Sequence, residues 1–240
     1  VSGMSKVSVI TLSYNKPHLI GETIDSILGQ TLQDIDLILV DNSTTSKEEV
    51  RSILRSYEKK DSRIRLFYEN PTEDERKYQY VGALYTNKYM DIAEGQYLYL
   101  LADDDIILPT CLQELYDCAE ATDSHCAYLG QDWVVPGEVT GTWSVWQHRE
   151  YNYIYGTAAH FHCSGILGQS SVIFRKDCLS KIDKPYFPVE WETATMCDGL
   201  FLDKMAKEFK IYPLGKTLCI IRFFHGSNFS LLSQKDVVGE

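Results

Sequence analysis

Three features of the N-terminal half predict an α/β fold, with a mainly parallel sheet flanked by helices. Apolar runs of strand length alternate with segments whose apolar residues recur at helical spacing. The runs are nearly continuous in apolar residues, as strands covered on both faces are. Each run also ends in polar residues, as strands do where their carboxyl ends line a ligand site.

The first run, VSVITLSYN (7–15), reads as a buried strand. PHLIGETIDSILGQ carries Ile20, Ile24, Ile27 and Leu28 at helical spacing, so a helix follows. IDLILVDNS (35–43) is the second strand. In SKEEVRSILRSYEKK, Val50, Ile53, Leu54 and Tyr57 share one helical face, and Ser46 with Glu49 has the spacing of a capping box. RIRLFYEN (63–70) is the third strand, 71–79 a charged loop, VGALYTNKYMDIAEG (81–95) a helix and QYLYLL the fourth strand. Strands joined through helices imply right-handed crossovers in a parallel sheet. The polar ends at 13–15, 41–43 and 103–105 should then lie along one edge.

The second half is less regular. Between 132 and 163 lie three of the four tryptophans, with little periodicity. A strand at 170–175 and a helix near 198–209 follow, and then KTLCIIRFFHGSNFS. No repeat, low-complexity linker or boundary divides the chain, so one domain over 1–240 is expected.

With 240 residues, 44% of them hydrophobic and 12% aromatic, the chain can bury a sizeable core. Its formal net charge of -11 argues against nucleic acid or an anionic membrane as partner, since both are bound by dense Lys and Arg patches. A phosphate ligand would need local or borrowed positive charge. The seven cysteines, Cys111, Cys118, Cys126, Cys163, Cys178, Cys197 and Cys219, are odd in number and lack zinc-site spacing. Reduced thiols in a cytoplasmic protein are expected. No run approaches the roughly 18 apolar residues of a transmembrane segment, and no signal core opens the chain. The residues ahead of Met4 resemble a tag remnant.

LLADDDIILP (100–109) sets Asp103, Asp104 and Asp105 side by side after an apolar strand. In an extended chain Asp103 and Asp105 would share one side and Asp104 the other. Adjacent carboxylates repel unless a cation or hydrogen-bond donors hold them ionised. A hard ion, Mg²⁺ or Mn²⁺, meets that need with one or two carboxylates, completing its shell with phosphates and water. A solvated turn is the alternative, but alignment with two other polar strand ends favours a ligand site.

Taken together, VSVITLSYN, SILGQTLQDIDLILVDNS and AEGQYLYLLADDDIILP resemble the family 2 inverting glycosyltransferases with the GT-A fold, whose DxD metal motif ADDD matches. The likeness is strong over 7–110, fair over 165–230 and weak over 132–163. It implies a nucleotide-binding half (7–110) and an acceptor-binding half (111–240). It implies that Thr11, Ser13 and Tyr14 meet the nucleoside, and that Asp41 accepts a hydrogen bond from a pyrimidine ring. The family usually has Asp-Asp where this chain has Asp41-Asn42, so either Asp41 or Asn42 would face the base. Asp103 matches the ribose or sugar contact. Asp104 and Asp105 together are the metal candidates, although a strict DxD reading would pair Asp103 with Asp105.

An inverting transfer needs a base for the acceptor hydroxyl. The likeness of TMCDGLFLDKM implies Asp198, with a helix N-cap as the alternative role and Glu190 and Glu192 as substitutes. In IIRFFHGSN, the resemblance implies His225 as a metal ligand and Arg222 as a phosphate partner. Arg76 and Lys77 are further phosphate candidates in a charged loop. Trp133, Trp143, Trp146 and His148 suit an acceptor platform of aromatic faces, or simply core packing.

The expected activity is metal-dependent transfer of a sugar from a UDP- or dTDP-linked donor to a glycan or other hydroxyl acceptor, in bacterial polysaccharide or glycoconjugate synthesis. The alternative is a nucleotide-sugar or glycan-binding module of the same fold without turnover. A nucleotidyltransferase is disfavoured, because LSYNKPHL lacks the glycines that cradle a triphosphate.

Overall fold

The computed structural model describes residues 5–122, 125–136, 143–149, 170, 172–194, 197–209 and 211–222. The first half follows the predicted order. Strand β1 (Val7–Ser13) leads to helix α1 (Ile20–Leu28), β2 (Ile35–Asp41), α2 (Lys47–Glu58) and β3 (Ile64–Tyr68). After α3 (Glu73–Tyr78) and α4 (Val81–Ile92) come β4 (Tyr97–Leu100), a short β5 (Ile106–Ile107) and α5 (Cys111–Ala121). The second half adds β6 (Cys126–Pro136), β7 (Trp143–Arg149), β8 (Val172–Arg175), α6 (Cys197–Glu208) and β9 (Ile211–Arg222).

The described strands form one sheet in the order β3-β2-β1-β4-β8-β6-β9-β5, with β7 paired to β6. Strands β1 to β4 are mutually parallel, as are β6 and β9, while β8 runs antiparallel to both β4 and β6. Alternate residues of each strand feed opposite faces. On one face Val7, Val9, Leu37, Leu39, Tyr97 and Tyr99 pack beneath α1, α2 and α5. On the other, Ile10, Ile38, Leu98 and Leu100 pack beneath α4 and α6. Gly95 lets the chain enter β4 against β1, because a Cβ there would come within 2.3 Å of the Ser8 amide nitrogen.

Three local expectations are corrected. The segment 71–79 is not a loop throughout: Thr72 and Glu75 form a complete capping box and start α3. The box expected at Ser46 and Glu49 does not form. Its reciprocal bond is lost because the Ser46 N–H donates instead to Asn15 Oδ1 at 3.1 Å. The tryptophan-rich stretch contains an antiparallel pairing, β6 with β7, that its weak periodicity concealed. Among the described residues no helix is long and apolar enough to cross a membrane. Cys111, Cys118, Cys178 and Cys197 are free thiols.

Candidate functional site

The strand order turns at β1, which has β2 on one side and β4 on the other. Such a switch opens a crevice at the carboxyl ends of the strands. Parallel register sets Ser13 opposite Asp41 and Ile10 opposite Leu100, so the polar ends share one edge as expected. Side chains lace that edge together. The Tyr14 N–H donates to Asp103 Oδ2 at 2.8 Å, and the Asn15 N–H to Ser43 Oγ at 2.9 Å. Asn15 holds a left-handed φ of 55°, a conformation its side chain tolerates better than most, and its Oδ1 also accepts from the Thr44 amide at 2.9 Å.

The acidic segment is a turn. β4 stops at Leu100, and the Asp105 N–H donates to the Ala102 carbonyl at 3.2 Å. The alternation expected of an extended chain is therefore corrected. Asp103 and Asp104, not Asp103 and Asp105, converge: the Lys16 ammonium donates to Asp103 Oδ1 and to Asp104 Oδ2, each at 2.7 Å. Asp105 turns elsewhere, accepting from the Ser170 hydroxyl at 2.7 Å and the Arg222 N–H at 3.3 Å.

Lys16 and the three aspartates are each no more than 8% exposed, so their charges must be met within the protein. Burial opposes the Lys16 charge, but Asp103 and Asp104 outweigh it and raise the pKa, so the ammonium persists. Burial lifts Asp103 above the usual carboxylate range against the pull of Lys16. Asp105 is pushed up to about 8, by burial first and the Asp104 charge second.

Arg222 was expected to meet phosphate. Here its buried guanidinium instead ties the acidic turn to α1, donating to the Asp104 carbonyl, the Glu22 carboxylate, the Leu19 carbonyl and Thr23 Oγ1. His225 lies outside the described residues. Trp133 falls on β6, and Trp143, Trp146 and His148 on β7, but their side chains also lie outside what is described.

At the nucleoside end, Asp41 is wholly buried and both its oxygens are engaged, by the Ser43 N–H at 3.0 Å and by Arg51 Nε at 2.6 Å. Among the described residues, the buried side-chain polar atoms lacking a hydrogen-bond partner are Thr11 Oγ1, Ser13 Oγ, Asn42 Oδ1 and Arg51 Nη2. Thr11, Ser13 and Asn42 are residues expected at the nucleoside. Buried orphans of this kind call for a partner the chain does not supply. Arg76, on α3, reaches over this end to the Asn42 carbonyl at 3.4 Å.

Asp198 occupies the first turn of α6, its Oδ1 accepting from the Cys197 thiol at 3.4 Å. Burial, reinforced by the Asp198 charge, pushes that thiol far up. Burial first of all raises the pKa of the Tyr80 hydroxyl, and the charges of Cys197, Asp198, Asp103 and Asp104 add to the effect. The Tyr80 ring packs 5.7 Å from that of Trp191 and folds back over Gly82, where a Cβ would lie 2.9 Å from Tyr80 Cζ. Glu190 and Glu192 are exposed on either side of Trp191.

Lys16, Arg51, Ser170 and Tyr80 escaped sequence reasoning. Lys16 had a readable signal: it is a basic residue directly after the polar end of the first strand, on the edge where local positive charge was required.

A model of glycosyl transferase family 2 matches residues 8–178. A putative teichuronic acid biosynthesis glycosyltransferase of Bacillus subtilis is 25% identical over 221 residues, covering 92% of this chain and 80% of the relative. An uncharacterised glycosyltransferase of Methanocaldococcus jannaschii is 38% identical over 116 residues, and the match spans 48% of this chain and 37% of that protein. Among solved structures, S. aureus TarS in complex with UDP-GlcNAc shares the fold with a TM-score of 0.69 and 20% identity, over 94% of this chain and 60% of that one. A mannosyltransferase from Pyrobaculum calidifontis in complex with GDP-Man and Mn²⁺ does so with a TM-score of 0.63 and 16% identity, over 94% and 59%. The expected GT-A architecture is thus the observed one, and the chain belongs to glycosyl transferase family 2.

Proposed function

We propose that the chain is an inverting glycosyltransferase. In this reading it moves a sugar from a pyrimidine nucleoside diphosphate, UDP or dTDP, to a hydroxyl acceptor in polysaccharide or glycoconjugate synthesis. One observation carries the reading: at the β1 switch point, buried polar atoms without partners lie on the same edge as two carboxylates that converge on a cation. The orphaned Asn42 amide and Thr11 and Ser13 hydroxyls would meet the nucleoside, with Tyr14 beside them. The relatives solved with UDP-GlcNAc and GDP-Man support a nucleotide-sugar donor.

The residues present fit a Mg²⁺ or Mn²⁺ ion. Asp103 and Asp104 already face one positive centre, the Lys16 ammonium, whereas Asp105 turns away from it to Ser170 and Arg222. Among the described residues no group of three or more His, Cys, Asp or Glu is arranged to hold a metal. Asp104 with Asp103 would therefore supply the protein ligands, and donor phosphates and water the rest. A bound ion would offset the charge that builds on the departing diphosphate.

Asp198 is the base in this scheme. It stands in the first turn of α6, and it would take the acceptor proton as the oxygen attacks the sugar carbon from the face opposite the diphosphate.

The test is calorimetric titration of UDP, dTDP and GDP into the protein with Mn²⁺ and again with EDTA. Metal-dependent binding of a pyrimidine diphosphate is expected, and Asp104→Ala should abolish it. Binding that EDTA leaves unchanged contradicts the metal assignment. Asp198→Asn should keep donor affinity and lose transfer by about 10²- to 10⁴-fold; retained turnover would move the base to Glu190 or Glu192.

A further inference from the structure

We infer that Lys16 is a displaceable cation, closing the Asp103 and Asp104 pair to a metal ion that arrives alone and releasing it when a nucleoside diphosphate arrives. The inference rests on the donor site proposed above and adds a positioning residue to it.

The geometry leaves little room for two cations. The ammonium sits 2.7 Å from one oxygen of each carboxylate, and the other Asp103 oxygen accepts from the Tyr14 N–H at 2.8 Å. A metal ion held by both carboxylates would have to approach them closer still, into the space the ammonium fills. It would compete with the ammonium for their lone pairs and meet its repulsion in a buried site, where solvent screens weakly. Lys16 must therefore leave before Asp103 and Asp104 can act as ligands.

The chain is built so that it can leave. The Lys16 carbonyl accepts from the Leu19 and Ile20 amides at 3.2 and 3.1 Å, which anchors its backbone at the start of α1. The side chain itself is a compact charge on a flexible stem. Arg222 is the contrast. Its guanidinium binds the backbone and side chains of α1 as well as the acidic turn, so it cannot move without loosening the fold.

A diphosphate at the carboxyl edge would give the ammonium a new anionic partner while the metal replaces it between the carboxylates. Each incoming charge answers one uncovered by the exchange. Metal and nucleotide should then bind with positive coupling, which is reciprocal by linkage.

The test measures free Mn²⁺ by electron paramagnetic resonance over the full chain, as wild type, Lys16→Met and Lys16→Gln, with and without UDP. Gln keeps an N–H donor toward the carboxylates, so the test survives if the Met variant fails to fold. Without UDP, the variants should bind Mn²⁺ at least about tenfold tighter than wild type, and the coupling between Mn²⁺ and UDP should fall by a similar factor. If neither variant gains Mn²⁺ affinity while wild type binds Mn²⁺ with UDP, the displacement is wrong and the donor site stands. If no protein binds Mn²⁺ or UDP in any combination, the donor site falls and the inference with it.

Discussion

Asp41 and the Asp103 and Asp104 pair are buried at the same sheet edge, yet the bases that answer them come from different kinds of structure. Arg51 projects from α2. Its Nε lies 2.6 Å from Asp41, and its guanidinium stacks 4.5 Å over the Tyr68 ring. Helix, ring and carboxylate together hold it, and the second Asp41 oxygen is taken by the Ser43 N–H. Lys16 projects from the connection between β1 and α1 and meets its carboxylates through one ammonium on a long stem. Equal burial therefore does not mean equal permanence. A base fixed on several sides belongs to the architecture, while a point charge on a flexible stem can be exchanged for another cation.

The sharpest way to break this comparison is to remove each base and ask whether ligand restores what is lost. Arg51→Met leaves Asp41 buried and unpaired and should cost about 3–5 kcal/mol in urea unfolding. That deficit should persist when UDP and Mn²⁺ are added to both proteins. Lys16→Met should cost less, about 1–3 kcal/mol without ligand, since Asp103 and Asp104 are slightly more exposed than Asp41 and Asp103, its pKa already raised by burial, can take up a proton. With saturating UDP and Mn²⁺ its deficit should vanish, because the ion replaces the lost charge. Deficits that respond alike to ligand would show that the two bases do the same job.

The two halves of the site were not equally legible. The strands β1 to β4 and their shared edge followed from local pattern, because continuous apolar runs with polar ends are visible in one stretch of chain at a time. Lys16 and Asp103 stand 87 positions apart, and their pairing could be reached only by asking which base an isolated acidic group requires. Two signals of the same form were read unequally. Thr72 and Glu75 have the capping-box spacing and form the box, whereas Ser46 and Glu49 have it and do not, because Asn15 from a distant loop claims the Ser46 amide. The parity expected of the aspartates failed for a related reason: it assumed that the strand continues, and the hydrogen bond from Asp105 to Ala102 turns the chain instead. The β6 and β7 pairing and the antiparallel β8 depend on partners far along the chain, which periodicity alone does not name.

A third acid and base pair gives the comparison its lower bound. Asp61 and Arg63 meet at 2.6 Å with side chains 21% and 22% exposed, two residues apart beside β3. The hydrogen bond from Arg63 is the main cause holding the Asp61 carboxyl below its usual range, against the opposing effect of burial. A carboxyl with a depressed pKa in the fold contributes stability above its unfolded pKa of 3.8 and loses it as pH falls through the folded value. Partial solvation limits the contribution to about 1 kcal/mol or less. Arg63→Ala should therefore be less stable than wild type by a margin that is constant above about pH 5 and narrows as acid protonates Asp61 in both proteins. Some margin should remain at low pH, since Arg63 also donates to Gln33 Oε1 and to the Leu28 carbonyl. Urea unfolding of both proteins from pH 7 down to pH 3 reads that narrowing directly. A margin that does not change with pH would mean the pair contributes through packing and neutral hydrogen bonds. Charge would then matter in this protein only where burial leaves a carboxylate no water to turn to, as at Asp41 and the acidic turn.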